Sequence, residues 1–88
     1  MNTVIIQDNS FSPMQITVGV GRPVVWRNQG STAHTVTSGT PASNPGKLFD
    51  SGTINPGSGF TFTFSQAGEF VYFCKIHGTV MSGVVVVR

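Results

Sequence analysis

Three side chains with soft or borderline metal-binding atoms lie within eight residues near the end of the chain. Cys74, the single cysteine, is followed by His77 and then by Met81, in the pattern C-x2-H-x3-M. A thiol, an imidazole and a thioether on one short segment favour a soft-metal site, with copper first among the candidates. A second histidine, His34, lies far upstream at the start of a β-branched segment and could supply another imidazole.

The four candidate ligands match the chemistry of an electron-transfer site. A thiolate and two imidazoles in a trigonal arrangement, with a weak axial thioether, suit Cu(I) and Cu(II) about equally. Because neither oxidation state is much favoured, such a site can gain or lose one electron without changing its ligands. The candidate metal-binding residues, which are also the candidate cofactor-binding residues, are therefore His34, Cys74, His77 and Met81.

Other interpretations of the same residues remain to be weighed. A lone cysteine in an apolar strand is usually a small buried hydrophobe, and a methionine next to a strand is usually part of the core. Zinc prefers four Cys, His or carboxylate ligands, and the chain has only three such candidates in place. A catalytic Cys–His pair needs an oxyanion hole and a substrate cleft, for which a small sandwich has little room. The four residues taken together favour copper.

The segments that must position these residues have the pattern of short strands separated by turns. Phe60–Phe64 alternates strictly between Phe and Thr, and Met14, Ile16 and Val18 alternate with polar residues, which indicates strands with one buried face. Trp26 is predicted to be a core aromatic, and Leu48 and Phe49 to be apolar anchors. About seven to eight strands with regular turn signals predict a β-sandwich or small barrel. The predicted strands are 3–7, 14–18, 24–28, 33–38, 60–64, 70–74 and 84–87.

Length and charge limit the functions that are open to the chain. With 88 residues we expect one domain, residues 1–88. The net charge of +2 is too small and too scattered to indicate a nucleic-acid partner. No apolar run approaches the ~20 residues of a membrane span. The first residues lack the basic and long apolar regions of a signal peptide, so we expect either a cytoplasmic protein or one whose leader has been removed.

The chain resembles the cupredoxins, small type 1 (blue) copper proteins of the plastocyanin, pseudoazurin and amicyanin kind. The resemblance covers essentially the whole chain through the segments F-S-P-M-Q-I-T-V, V-V-W-R-N, A-H-T-V-T, F-D-S-G, F-T-F-T-F and G-E-F-V-Y-F-C-K-I-H. It implies an all-β Greek-key sandwich with one copper ion, held by His34, Cys74 and His77 as equatorial ligands and by Met81 as the weak axial ligand. Thr35 stands where the family often has Asn, and its backbone N–H can still donate to the thiolate.

The resemblance also implies a function, namely that of a mobile one-electron carrier rather than an enzyme. We expect a monomer in the periplasm or another extracytoplasmic compartment. Its redox partners would dock transiently near His77, on a small patch formed by Gly78, Thr79 and Val80 together with Ala33. Two alternatives stay open: a periplasmic copper carrier or sensor, and a domain of a multicopper oxidase or nitrite reductase. The chain lacks the further histidines that a catalytic copper would need, which argues against an enzyme standing alone.

Overall fold

A computed structural model of the chain describes residues 2–8, 10–42 and 46–88, except for the side chains of residues 78–80. Within these residues it contains eight strands and no helix, as the pattern of short strands and turns predicts. The strands are β1 Thr3–Ile6, β2 Phe11–Ser12, β3 Gln15–Val18, β4 Pro23–Asn28, β5 Thr37–Ser38, β6 Gly59–Thr63, β7 Gly68–Cys74 and β8 Gly78–Val87.

The strands form two four-stranded sheets with the orders β2-β1-β4-β6 and β3-β8-β7-β5. Both sheets are mixed, because β1 runs parallel to β4 and β3 runs parallel to β8, while the remaining pairs are antiparallel. The all-β sandwich that the sequence predicts is therefore confirmed. Across the part of the chain that is described, no helix is long and apolar enough to cross a membrane.

The two sheets meet through aromatic side chains whose positions follow from strand alternation. In β4, Val24 and Trp26 are fully buried, while the predicted alternation of β6 turns its Phe side chains inward and its Thr side chains to solvent. The Trp26 ring packs edge-on against Tyr72 of β7, with ring centroids 5.4 Å apart. Such a pair contributes about 0.5–1.5 kcal/mol beyond area burial. This contact links the first sheet to the second sheet close to Cys74.

Two predicted strands have different bounds in the structure. Of the predicted strand 33–38, only β5 is a strand, and His34 instead forms an isolated bridge with Ile54. Backbone groups of this segment form hydrogen bonds to a side chain and to the backbone of nearby loop residues. Because these groups are not available to the sheet, the strand is shorter than predicted. The last strand begins at Gly78 rather than at residue 84, so the predicted bounds, which leave Met81 before that strand, are wrong.

Two side chains that the sequence predicts to be buried, one apolar anchor and one residue of a strand face, are exposed. Leu48 is 49% exposed and Met14 is 65% exposed, whereas Phe49 and Val18 are buried. Met14 precedes the first residue of β3, so the buried face of that strand starts only at Ile16. The sequence of residues 39–46 shows no strand or helix periodicity, and within it residues 43–45 lie outside the described residues.

Candidate metal centre

Three of the four predicted ligands meet at one end of the sandwich. The ligand atoms that His34, Cys74 and His77 can offer all lie within 4.8 Å of one another. The Sγ atom of Cys74 is 3.8 Å from Nδ1 of His34 and 3.6 Å from Nδ1 of His77. Both imidazole rings thus present the same nitrogen to the sulfur, and their centroids are 5.0 Å apart.

Cys74 and His77 are brought together by a tight turn at the end of β7. Residues 75–77 form the turn, and the backbone N–H of His77 donates to the carbonyl of Cys74 over 3.2 Å. The pairing with β8 shifts here: Phe73 pairs with Ser82, but Cys74 pairs with Gly78. The shift leaves three residues of β8 between the two pairs. The two residues between Cys74 and His77 thus allow a single tight turn, and this turn places the imidazole of His77 next to the sulfur.

Met81 lies in the stretch of β8 that this shift in register leaves between the two pairs. Its side chain is fully buried and belongs to the same apolar cluster as the side chain of Cys74. Met81 therefore lies beside the strand end that carries the thiol, where a thioether is available to the site. Its burial is equally consistent with the simpler interpretation of Met81 as a core residue, because a methionine at this position can pack in the core and also serve as a ligand.

His34 is held in place by its backbone and by the far edge of its ring. Its backbone N–H and C=O exchange hydrogen bonds with Ile54 over 3.1 and 2.8 Å, and the side chain is fully buried. The Nε2 atom of the ring lies 3.2 Å from Oδ1 of Asp8 and 3.2 Å from Oγ1 of Thr32. An ionised carboxylate can only accept, so Nε2 carries the proton and Nδ1 keeps its lone pair directed toward Cys74.

The loop before His34 is organised by a buried asparagine at the end of β4. The amide nitrogen of Asn28 donates to the carbonyls of Thr32 and Ile54 over 2.9 and 2.8 Å, and its Oδ1 accepts from the N–H of Gly30. Asn28 is 1% exposed. The sequence assigned Asn28 only as a strand end, and nothing in its spacing relates it to His34. The same holds for Asp8, which lies between the first two predicted strands, in a segment that the sequence relates to no site.

A second network fixes the other side of the thiol. The backbone N–H of Thr35 donates to Sγ of Cys74 over 3.4 Å, as expected, and Oγ1 of Thr35 accepts from the N–H of Lys75 over 2.8 Å. Oγ1 of Thr35 also contacts Oγ1 of Thr37, which donates to Asp50, and Asp50 forms an ion pair with Lys75. Burial alone would raise the pKa of Asp50, but the hydrogen bonds and charge of Lys75, with the Gly52 N–H, hold it below its usual range.

The site is closed on one side and open on the other. His34 and Cys74 are fully buried, whereas His77 is exposed, so His77 is the member of the cluster that reaches solvent. The neighbouring Ile76 is 55% exposed. Of the predicted docking patch, residues 78–80 are described only in their backbone, and Ala33 is half-buried.

The donor set fits a soft, redox-active ion better than zinc. A buried sulfur with two imidazole nitrogens is one of the ligand sets typical of copper, whereas structural zinc sites have four charged or imidazole ligands. Within the described residues no fourth Cys, His, Asp or Glu joins the group of three. Asp8 contacts the opposite edge of the His34 ring, so it is not placed as a ligand.

Comparison with known proteins agrees with this description. Residues 2–87 match the family model of the cupredoxin-like domain. The chain is 34% identical over 84 residues to a chloroplastic plastocyanin of Tetradesmus obliquus, covering 89% of this chain and 58% of that protein. It is 30% identical over 84 residues to a plastocyanin of Scenedesmus fuscus, covering 89% and 86%. The chain thus spans little more than half the length of the first of these relatives.

Solved structures show the same fold over nearly the whole chain. A novel purple cupredoxin from Nitrosopumilus maritimus superposes with a TM-score of 0.90 at 27% identity, covering 100% of both chains. The reduced Cu(I) form at pH 4 of an amicyanin mutant gives a TM-score of 0.83 at 26% identity, covering 98% of this chain and 80% of that one. None of these similar proteins is named as an enzyme.

Proposed function

The chain belongs to the cupredoxin-like family, and the relatives it matches are plastocyanins, so we propose that it is a mobile carrier of single electrons with one type 1 copper ion rather than an enzyme. We assign His34, Cys74 and His77 as the equatorial ligands and Met81 as the weak axial ligand. The observation that supports this most directly is the meeting of one buried thiol and two Nδ1 atoms within 4.8 Å.

When bound, copper supplies the Cu(I)/Cu(II) couple, and the protein's own residues keep the ligand set unchanged between the two states. Cys74 is fixed at the end of β7, and His34 is fixed by its two backbone bonds to Ile54. The backbone N–H of Thr35 donates to the sulfur and so helps to orient it. Ligands held on rigid elements in this way need little rearrangement when the charge of the site changes.

His77 is the residue at which we expect redox partners to approach. It is exposed while the other two members of the cluster are buried, so a protein that docks over the 75–77 turn comes nearest to the site. The exposed side chain of Ile76 adds a small apolar contact beside it. Contacts of this size suit brief association, as weak redox encounters bury little surface.

We further propose that residues 1–88 act as one monomeric domain in an extracytoplasmic compartment, periplasmic in a bacterial host. The match of the family model to residues 2–87 supports a single domain. Size-exclusion chromatography at several concentrations tests the monomer, and fractionation of the expressing cells tests the compartment. A concentration-dependent dimer, or a protein found with the cytoplasmic markers, contradicts the respective part.

The spectrum of the copper-loaded protein tests the ligand assignment. We expect intense sulfur-to-copper absorption in the visible and a matching Cu(II) EPR signal, because the thiolate of Cys74 is a ligand. The Cys74→Ser variant keeps the size of the side chain but removes the sulfur, and should lose the band. A colourless Cu(II) adduct of the unmodified protein contradicts the site assignment.

Electrochemistry separates an electron carrier from a copper-handling protein. We expect reversible one-electron voltammetry and fast self-exchange, since the ligands are held by rigid strands. We also expect copper to stay bound when a competing acceptor protein is added. Ready transfer of copper to the acceptor, together with slow self-exchange, would support a role in copper delivery instead.

A further inference from the structure

A carboxylate contacts the edge of the His34 ring that faces away from the thiol. Nδ1 of His34 faces Cys74 at 3.8 Å, and Nε2 faces Oδ1 of Asp8 at 3.2 Å. The imidazole thus lies between a sulfur and a carboxylate, with one ring nitrogen directed at each. His34 is fully buried, while the side chain of Asp8 is 42% exposed, so Asp8 connects the buried ring to the protein surface.

Asp8 does not reach this position by chance rotation of a surface side chain. Its carboxylate accepts four further hydrogen bonds from the loop before His34: from N and Oγ of Ser31 over 2.9 and 2.7 Å, and from N and Oγ1 of Thr32 over 3.2 and 3.1 Å. These donors are fixed on a loop that is itself held by Asn28. The carboxylate is therefore preorganised before any metal arrives.

The chain makes room for this carboxylate with a glycine. A Cβ atom added at Gly30 would lie 2.3 Å from Oδ1 of Asp8, closer than real Cβ atoms approach, and 3.2 Å from its backbone N, which is a tight contact. Any other residue at this position would push away the oxygen that contacts His34. Asp8 thus contacts the ring, Ser31 holds the carboxylate by hydrogen bonds, and Gly30 leaves the space that the carboxylate occupies.

From this geometry we propose that Asp8 is a positioning residue of the metal centre, which fixes the ring and tautomer of His34 and makes its Nδ1 a stronger donor. The proposal rests on the proposed function, in which His34 is a ligand. A carboxylate that accepts the second N–H of a ligating imidazole raises the basicity of the other nitrogen and holds the ring. An imidazole that binds more strongly and has a negative charge beside it favours Cu(II) over Cu(I). Asp8 therefore stabilises the oxidised state of the centre relative to the reduced state.

The Asp8→Asn variant tests the proposal, because it keeps the size of the side chain and an acceptor oxygen but removes the charge. In the copper-loaded protein we expect the visible band to remain, the reduction potential to rise, and Cu(II) affinity to fall by about 10- to 100-fold. Glu69→Gln is the matched control, since it removes one negative charge at an exposed position of β7. A potential and affinity shifted equally in both variants would overturn the proposal.

A second readout does not depend on redox activity. In the Cu(I) protein the Nε2–H of His34 should give an NMR signal that exchanges slowly with water, because Asp8 accepts this hydrogen. Gly30→Ala leaves every charge in place but displaces the carboxylate, so it should speed this exchange and lower Cu(II) affinity in the same direction as Asp8→Asn. If Asp8→Asn fails to fold, the Gly30→Ala variant is used as the test instead. Unchanged proton exchange and unchanged Cu(II) affinity in Gly30→Ala would then refute the proposal.

Failure of this inference can be told apart from failure of the proposed function. If the unmodified protein shows no sulfur-to-copper band, the proposed function is wrong. If the band is present but Asp8→Asn and Gly30→Ala behave like Glu69→Gln in potential, affinity and exchange, the function stands and the role of Asp8 is wrong. A loss of melting temperature alone, with potential and exchange unchanged, would assign Asp8 a purely structural role and also contradict the proposal.

Discussion

Met81 is the candidate ligand whose contribution is easiest to isolate, because leucine has nearly its volume but no sulfur. We predict that Met81→Leu keeps the visible band, since Cys74 is untouched, and raises or lowers the reduction potential measurably. The fully buried site should accept the change at a cost below about 1.5 kcal/mol. Visible spectroscopy and voltammetry check this, with Met14→Leu as the control at a methionine that is 65% exposed. An unchanged spectrum and potential would show that Met81 is only a core residue.

At the residue scale, the sequence predicts the ligands better than their supports. Cys74, His77 and Met81 are close in sequence, so their types and spacing indicate a site before any fold is known. Asp8 lies 26 residues from His34, and their contact depends on how one loop folds beside another. Asn28 is missed for the same reason. A short polar residue near a turn has a local explanation, and only the folded loop shows which ring or carbonyl it bonds.

β8 contains a glycine that packs directly against Tyr72 of the paired strand β7. A Cβ atom at Gly83 would lie 2.5 Å from the hydroxyl of Tyr72 and 2.9 Å from the carbonyl oxygen of Met14. We predict that Gly83→Ala lowers the free energy of unfolding by about 1–3 kcal/mol, because a packed core resists added volume. Denaturant titration measures this. Gly19→Ala is the control, since its added carbon meets only the Arg22 side chain at 3.5 Å. Equal midpoints for the two variants would contradict the packing.

At the element scale, alternation predicts the long strands and fails for the short ones. The predicted strands 24–28, 60–64 and 70–74 are confirmed within a few residues because each buries one regular face. The segment 33–38 has strand-forming residues, but its backbone forms hydrogen bonds outside the sheet. The N–H of Val36 donates to the hydroxyl of Ser51, and the carbonyl of Val36 accepts from the N–H of Ser51. A pattern of side chains cannot show such partners, which come from a connection that has no periodicity of its own.

For the whole molecule, the buried hydroxyl of Tyr72 gives a predicted loss of stability in alkali. Burial raises the pKa of Tyr72 from 10.0 to about 12. The folded state therefore holds this proton more tightly than the unfolded state, so the stability it supports is complete below pH 10 and is lost as the pH rises toward 12. The loss should reach roughly 3 kcal/mol.

Comparison with Tyr72→Phe isolates this effect, because lysines also lose charge in the same range. The variant removes a buried hydroxyl that has no hydrogen-bond partner within the described residues, so its stability at neutral pH should be equal or slightly higher. Tyr72 is the single tyrosine, so the near-ultraviolet tyrosinate signal follows this group alone. Parallel falls in stability for both proteins between pH 10 and 12 would show that burial of Tyr72 does not cause the loss.

The fold of the whole chain follows from the sequence more fully than its details do. Strand number and the place of Trp26 in the core follow from alternation and turn signals, whereas the choice of a two-layer sandwich over a small barrel follows from the family resemblance. The pairing order does not, since the parallel pairs of β1 with β4 and of β3 with β8 join segments far apart in the chain. Such pairs depend on the closure of long loops, which leaves no local pattern in the residues.

The bridge between His34 and Ile54 has a consequence for the order in which the site assembles. Cys74 and His77 are separated by one turn of a hairpin, whereas His34 is 40 residues from Cys74. In the unfolded chain the hairpin pair already lies close together, but closing the longer loop costs more conformational entropy. An ion that joins the two parts acts as a cross-link on the chain. The affinity for the ion therefore reports whether the more distant of these ligand contacts has formed.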